Sequence, residues 1–402
     1  MRFSVSGLLA ITVSASAAAC SSTSPDPPRP AQTTSTAASP QPESAQGFGY
    51  HHHPIRTTSR DAQQQFDRGM AQAFGFNHEA AIRSFQRASE LDPSAAMPHW
   101  GRAWALGANY NLDIDDARAK EAYDAITKAK SLAAAGPDVE REYINALAVR
   151  YSPDMKADRA ALAHTYSNAM EALSQRYPDD LDAATLYAES LMNLTPWKLW
   201  TLDGRPNENT ERIIATLESV LRRQPDHLAA NHYYIHAVEA SPNAARALPS
   251  AMRLGTLAEN SGHLLHMPAH IYARTGDHAG AAAANAAGAA ADVTYLGTAP
   301  PNGFYGMAYY SHNLHFVMIS AQMSGEASIV VDAAGDPDGD PTEPPRSAVN
   351  GVRIDPGAQL GQEARLRGRE PQHLVPPAGS VPKEPVVGVP EAPPLADGEQ
   401  VD

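Results

Sequence analysis

From about residue 62 to residue 323, apolar and small residues recur at three- and four-residue spacing, the period of an amphipathic helix. The stretch QQQFDRGMAQAFGFNHEAAIRSFQRASELDP predicts two helices, the second ended by Asp92-Pro93. RAWALGANYN, EAYDAITKAKSLA, ATLYAESLMNL and ERIIATLESVLRRQPD predict further helices, with polar breaks between them. The pattern is all-α. On either side of it the chain changes character. From Ser21 to about Gln46 it is Ser, Thr, Pro, Ala and Gln with almost no large apolar residue, the composition of a flexible tether. The last 79 residues contain 13 prolines, and no aromatic residue follows Phe316, so this tail has nothing from which to build a core. It reads as a disordered extension, or as sequence out of frame with further helices.

Finer spacing says which helices these are. Gly69, Ala81, Phe85, Ala88 and Pro93 stand at the mutual distances of a 34-residue helix–turn–helix unit, and Tyr272, Gly276 and Ala281 repeat part of the pattern. The chain therefore resembles the tetratricopeptide repeat (TPR). Small Gly69 and Ala81 let two helices approach, and Phe85 fills the gap between neighbours. Five longer phrases resemble one group of bacterial TPR proteins over roughly residues 50–323: FNHEAAIRSFQRASELDP, RYPDDLDAATLYAESLMNL, ANHYYIHAVEASP, GHLLHMPAHIYARTG and SHNLHF. The resemblance implies an exported or soluble helical solenoid whose repeats line a concave groove with their first helices. It implies an architecture and no particular activity. The expected organisation is a signal peptide over 1–19, a tether over 20–47, a TPR-like solenoid over 48–323 and a disordered tail over 324–402.

The histidines follow the repeat. His263, His266 and His270 fall within eight residues, and His232 and His236 precede His266 and His270 by 34 residues, one repeat. His312 and His315 follow His263 and His266 by 49 residues, which allows a 15-residue insertion around GTAPPNGFYG. His232, His236 and Glu239 are spaced i, i+4, i+7, and His263, His266 and His270 i, i+3, i+7, so each trio shares a helix face. Pro268 predicts a kink or helix start between His266 and His270. Seven imidazoles and one carboxylate are thus expected to converge from three first helices on the groove.

Three readings of that set stand open. The histidines pack and hydrogen-bond between helices; or, with Tyr233, Tyr234, Tyr309 and Tyr310, they line a groove for a peptide, a protein partner or a small ligand; or they bind a transition metal. Neutral imidazole is a common ligand for zinc, copper and iron, and i, i+4 histidines can clamp one ion. A metal-dependent enzyme, oxidative or hydrolytic, would keep an open coordination position and use Glu239 as a ligand or general base. The tract Tyr50-His51-His52-His53-Pro54 is a metal-scavenging run, a chance cluster, or a segment folded back over the groove. His78-Glu79-Ala80-Ala81-Ile82 lacks the second histidine of HExxH, and no phosphate loop, GxSxG elbow or dinucleotide fingerprint occurs.

Composition narrows the partners. The formal net charge is −14 with no cluster of Lys and Arg, which argues against a nucleic-acid binder. MRFSVSGLLAITVSASAAAC has Arg2, a short apolar run and small residues before Cys20, the sole cysteine, the layout of an export signal. Cys20 after three alanines resembles a bacterial lipoprotein processing site, although Ala17 stands where Leu or Val is usual; ordinary cleavage after Ala-x-Ala is the alternative. With Ser21 next, the lipid-anchor reading points to an outer membrane facing the periplasm.

Overall fold

Ser59 opens the first long helix: its Oγ accepts from Ala62 N, and the chain then runs helical as α1 (Arg60–Phe74). Gly75 ends it, Asn77 caps the next through its Oδ1, and α2 (His78–Leu91) follows. Phe85 of α2 settles into a notch that exists because two glycines face it. A Cβ on Gly69 would stand 2.6 Å from the Phe85 ring, and one on Gly101 2.5 Å. Gly101 belongs to α3 (Met97–Leu106), so one aromatic ring keys three helices together.

The same grammar continues. α4 (Asp116–Ala133), α6 (Arg159–Arg176) and α7 (Leu181–Met192) are capped by the carboxylates of Asp115, Asp158 and Asp180. Between them lies α5 (Asp138–Ala148), and beyond them α8 (Thr210–Arg223), α9 (Leu228–Val238) and α10 (Leu248–Leu257). The chain then forms α11 (Gly262–His266), α12 (Pro268–Arg274), α13 (His278–Leu296) and α14 (Ser311–Ser324). Each of α1 to α10 packs on its successor, α13 gathers α11, α12 and α14, and α1 also touches α9. The fold is all-α. Among the described residues, extended pairing is limited to two isolated bridges, Asn109 with Leu112 and Trp200 with Pro206.

This computed structural model describes residues 47–297, 299, 303–326 and 328–330. The expected signal peptide, Cys20, nearly all of the tether and the tail beyond residue 330 lie outside the described residues. No described helix is long and apolar enough to cross a membrane. At its C-terminal end α14 is closed by Gly325 at φ 81°, with Glu326 N donating to Ala321 O at 2.9 Å. Ile319 and Met323 of this helix are exposed among the described residues.

Two features position the site. Residues 48–57 run extended across α1, α5 and α7: His53 N donates to Asp67 Oδ1, Ile55 N to Gln63 Oε1, Arg56 N to Glu140, and Thr57 Oγ1 to Asp92. The histidine tract is therefore folded back onto the first helices. The second feature is a π-helical turn, Gly306–Tyr310, which leads into α14 and carries Tyr309 inward.

Candidate metal centre

Pro268 has no N–H to give Leu264, yet Met267 keeps helical angles (φ −53°, ψ −35°) and Met267 N still donates to His263 O at 3.1 Å. The helix is kinked without being interrupted, so His263, His266 and His270 stay on one side. They meet His232 and His236 of α9 and His312 of α14. Five of these six histidines are buried and His312 is half-buried.

The six fall into two sets of three, His232 with His236 and His263, and His266 with His270 and His312; within each set, ligand nitrogens lie within 4.8 Å of one another. The second set is the first moved along by one repeat: 232 to 266 and 236 to 270 are shifts of 34, and 263 to 312 is that shift plus the 15-residue insertion. Each set takes two imidazoles from one repeat and the third from the next. This also explains His315. It is the repeat equivalent of His266 and would open a third set, but the next position in register is Ile319, and His315 is exposed, touching the Phe316 ring edge-on. The expected seven imidazoles are six.

Ring orientation follows from what each Nδ1 faces. His232 Nδ1 donates to Phe74 O at 2.6 Å. His236 Nδ1 donates to Glu239 Oε1 at 2.8 Å, and His270 Nδ1 to Glu239 Oε2. His266 Nδ1 lies 2.5 Å from Asn285 Oδ1, and the Asn285 amide is itself oriented because its Nδ2 donates to Ala281 O at 2.8 Å. Four of the six imidazoles thus place Nδ1 against an acceptor, so that each, when neutral, turns a lone pair outward at Nε2. That is how proteins orient metal-binding histidines. Both oxygens of Glu239, the expected ligand or general base, face imidazole Nδ1 atoms, one of His236 and one of His270. Against the burial that would raise it, His270 and His236 hold its carboxyl far below the usual range.

The Nε2 atoms crowd together. His266 Nε2 is 2.7 Å from His270 Nε2 and 3.1 Å from His312 Nε2, and His232 Nε2 is 3.0 Å from His263 Nε2. His236 Nε2 is buried without a partner. Two lone pairs at these distances repel unless a proton or a cation lies between them. Burial, then the neighbouring imidazoles, pushes His232, His263 and His266 well below their ordinary pKa, and burial followed by His270 brings His312 down to about 4. Six imidazole nitrogens facing one another in two sets of three could hold a metal ion in each. Nitrogens about 2.0–2.1 Å from one ion stand about 2.9–3.4 Å apart, depending on coordination angle, close to the spacings seen.

Aromatic rings enclose the sets. Phe76, held at φ 57° between α1 and α2, stacks on His236 (5.6 Å) and His263 (5.2 Å). Trp197, at φ 61° and 56 % exposed, meets His236 edge-on at 5.7 Å. A cavity of about 220 Å³ lies against His236, His263, His270 and His312, walled by Trp197, Phe304 and Tyr309. Of the four tyrosines expected in a groove, Tyr309 alone borders this cavity; Tyr233 is in the core, Tyr234 donates to Glu218, and the half-buried Tyr310 faces elsewhere.

A second histidine cluster has a different character. Asp182 of α7 lies 3.2 Å from His51 Nε2, 2.7 Å from His53 Nδ1 and 3.2 Å from His227 Nε2. His227 Nδ1 accepts from Ala230 N, and its Nε2 stands 3.2 Å from Asp182 Oδ1. Asp180 beside them is spent on Tyr143 OH and Ala183 N. His53, Asp180 and Asp182 also stand close enough together to hold an ion, and the contacts of His51 and His53 with Asp182 fasten residues 48–57.

Sequence reasoning missed Asn285, Phe76 and Trp197. Asn285 had a signal: with His278 and Asp292, seven residues to either side, it makes a polar line along one face of an Ala/Gly-rich helix. No protein-family model matches the chain, and no curated protein is similar to it.

Proposed function

We propose that this protein is a TPR-type helical-repeat protein that binds two transition-metal ions, each on three histidine Nε2 atoms. The observation that carries the reading is the 2.7 Å contact between His266 Nε2 and His270 Nε2, two atoms whose lone pairs are fixed toward each other by Asn285 and Glu239. The repeat reading is supported by the serial packing of helices and by Phe85 seated between Gly69 and Gly101. Imidazole-only sets suit copper, zinc or iron. Burial of the histidines speaks against a peptide groove at this spot, since a peptide needs exposed side chains to touch. The amino-terminal sequence supports export with a lipid on Cys20, and so a site working in the cell envelope.

A specific observation favours an enzyme over a store. Three protein ligands leave a coordination position open, as catalytic sites do, and both sets face the same small cavity. Glu239 is occupied, and no carboxylate is among the residues that line that cavity, so a carboxylate base for water activation has no support from its walls. Oxidative chemistry with dioxygen, which a copper or iron pair supplies, is the better fit; the chain's own residues orient the imidazoles, exclude bulk water and shape the cavity.

Elemental analysis of untagged protein tests the metal reading. Two ions per chain are expected, with one lost in His270→Ala and in His236→Ala. Protein that takes up no metal on reconstitution, with variants changed in stability alone, refutes it.

A further inference from the structure

Arg68 of α1 and Arg83 of α2 are brought side by side by the packing of their helices. Gln72 stands one turn after Arg68. With its amide turned to donate to Ser84 Oγ at 2.7 Å and to Ala80 O at 3.1 Å, it takes Arg68 Nε on its oxygen at 3.2 Å. Arg83 Nη2 donates to Tyr295 OH at 3.1 Å, and Tyr295 OH donates in turn to Asn77 Oδ1 at 3.1 Å. Both guanidiniums are thus held by neutral groups, and among the described residues neither forms an ion pair. The nearby carboxylates are engaged elsewhere: Asp67 accepts from His53 N and Gln63 Nε2, and Glu90 pairs with Arg87. A chain with 45 Asp and Glu against 31 Lys and Arg has acids to spare, yet none is placed here.

The two arginines border one cavity of about 470 Å³, with Phe48 and Tyr295 in the same wall and no carboxylate in it. The charged heads, and not the stems alone, stand at that wall: the Arg68 guanidinium lies 6.0 Å from the Phe48 ring centroid, and the Arg83 guanidinium is bonded to the Tyr295 hydroxyl. The Phe48 and Tyr295 rings meet edge-on at 6.2 Å, which ties the two heads to one place. Arg83 is exposed and Arg68 half-buried. Burial, then the charge of Arg83, lowers the Arg68 pKa from its ordinary value, so each cation feels the other. Like charges at one wall repel until an anion stands between them. A compact dianion answers both at once, whereas two monoanions would repel each other in turn. A phosphate monoester is such a group at neutral pH, and its oxygens suit the planar guanidinium fork. The volume lies in the range of small-molecule sites, about 300–1,000 Å³, which leaves room for an organic part beside the two rings.

We propose that this cavity binds an organic phosphate monoester, its phosphate shared by Arg68 and Arg83 and its organic part against Phe48 and Tyr295. The cavity shares no lining residue with the one beside the histidines, and the site does not depend on the metal reading.

Calorimetry on the full chain at neutral pH tests the site, with phenyl phosphate as probe and phenyl sulfate, alike in shape but a monoanion, as control. The phosphate is expected to bind, and the sulfate at least tenfold more weakly. Arg83→Gln should weaken the phosphate at least tenfold and Arg83→Lys, which keeps the charge, less. Arg68→Gln should match Arg83→Gln; if it fails to fold, the two changes at exposed Arg83 decide. No binding, equal binding of phosphate and sulfate, or undiminished binding in Arg83→Gln, as for a phosphate held on a metal, each overturns the proposal. Phosphatidate vesicles present the same group on a lipid. Once phenyl phosphate binds, co-sedimentation with them that is lost in Arg83→Gln names a lipid as the source of the ester, and no co-sedimentation names a soluble molecule.

Discussion

Asn285 accepts the Nδ1 hydrogen of His266 at 2.5 Å, and that single contact decides which way a buried imidazole offers its lone pair. Nothing else fixes His266, since its Nε2 faces two further imidazoles. Asn285→Ala is expected to weaken the ion on His266, His270 and His312 by about 10–100-fold, the usual cost of losing a supporting hydrogen bond to a ligand. Asn285→Asp keeps an acceptor and should lose much less. Competition against a calibrated chelator reads both. The ion on His232, His236 and His263 should be unaffected; equal losses at both sites would sink the assignment.

Glu239 links the two sets by taking Nδ1 of His236 and of His270. Glu239→Gln offers one acceptor where two are needed and places an amide N–H against the other ring. Both ions are therefore expected to weaken together, by about 10-fold or more each. Were Glu239 a ligand to a single ion, only one would be lost. Stoichiometry at graded chelator concentrations separates these outcomes.

The 34-residue spacing picked out six histidines that the structure gathers into two close groups. It also included His315, whose register partner is Ile319 and which stands apart from the two groups, and it could not show that the Glu239 oxygens face His236 and His270, because spacing gives a shared face and not the contacts of each atom. The support for His232 is a backbone carbonyl, Phe74 O, which no side-chain pattern can announce. Phe76 and Trp197 were hidden for a related reason: each takes a positive φ in a turn where sequence alone suggests glycine or asparagine. The Asp182 fastening joins residues 131 apart and has no periodic signature.

His78 sets one pH dependence. Both its ring nitrogens are buried without partners, and burial, helped by Arg118 and Arg150, lowers its pKa from 6.5 to about 3. Between those values the unfolded chain binds a proton that the folded chain refuses, so stability is present above pH 6.5 and is lost as the pH falls. The contribution to the slope approaches about 1.4 kcal/mol per pH unit. Urea midpoints of metal-free protein should therefore fall less on acidification in His78→Leu than in the parent chain. Parallel curves would show that His78 is solvated.

Phe85 fills space that Gly69 and Gly101 leave. Gly101→Ala would put a methyl 2.5 Å from the ring, and a packed core moves to accommodate it at a cost of about 1–3 kcal/mol. Phe85→Leu alone opens a void. Combined, the two changes should cost less than the sum of the single losses, a coupling that a double-mutant cycle in urea measures. Strict additivity would mean the ring and the glycine do not share the notch.

Asp182 holds residues 48–57 through the imidazoles of His51 and His53. Burial alone would raise its carboxyl, but His51, His227 and His53 bring it well below the ordinary range; burial alone would lower His53, but Asp182 raises it. The signs run oppositely. The carboxylate's share of stability is lost as pH falls below its unfolded value, and the imidazole's share is lost as pH rises through its raised value, so the fastening is tightest between them. Asp182→Asn removes the charge from three buried imidazoles, and breaking such a set costs about 3–5 kcal/mol. Because the segment is extended and carries exposed Arg56, trypsin should cut there several times faster in the variant at neutral pH. The parent chain should approach the variant's rate as it is acidified. Equal cleavage of the two at neutral pH would mean that Asp182 does not hold the segment.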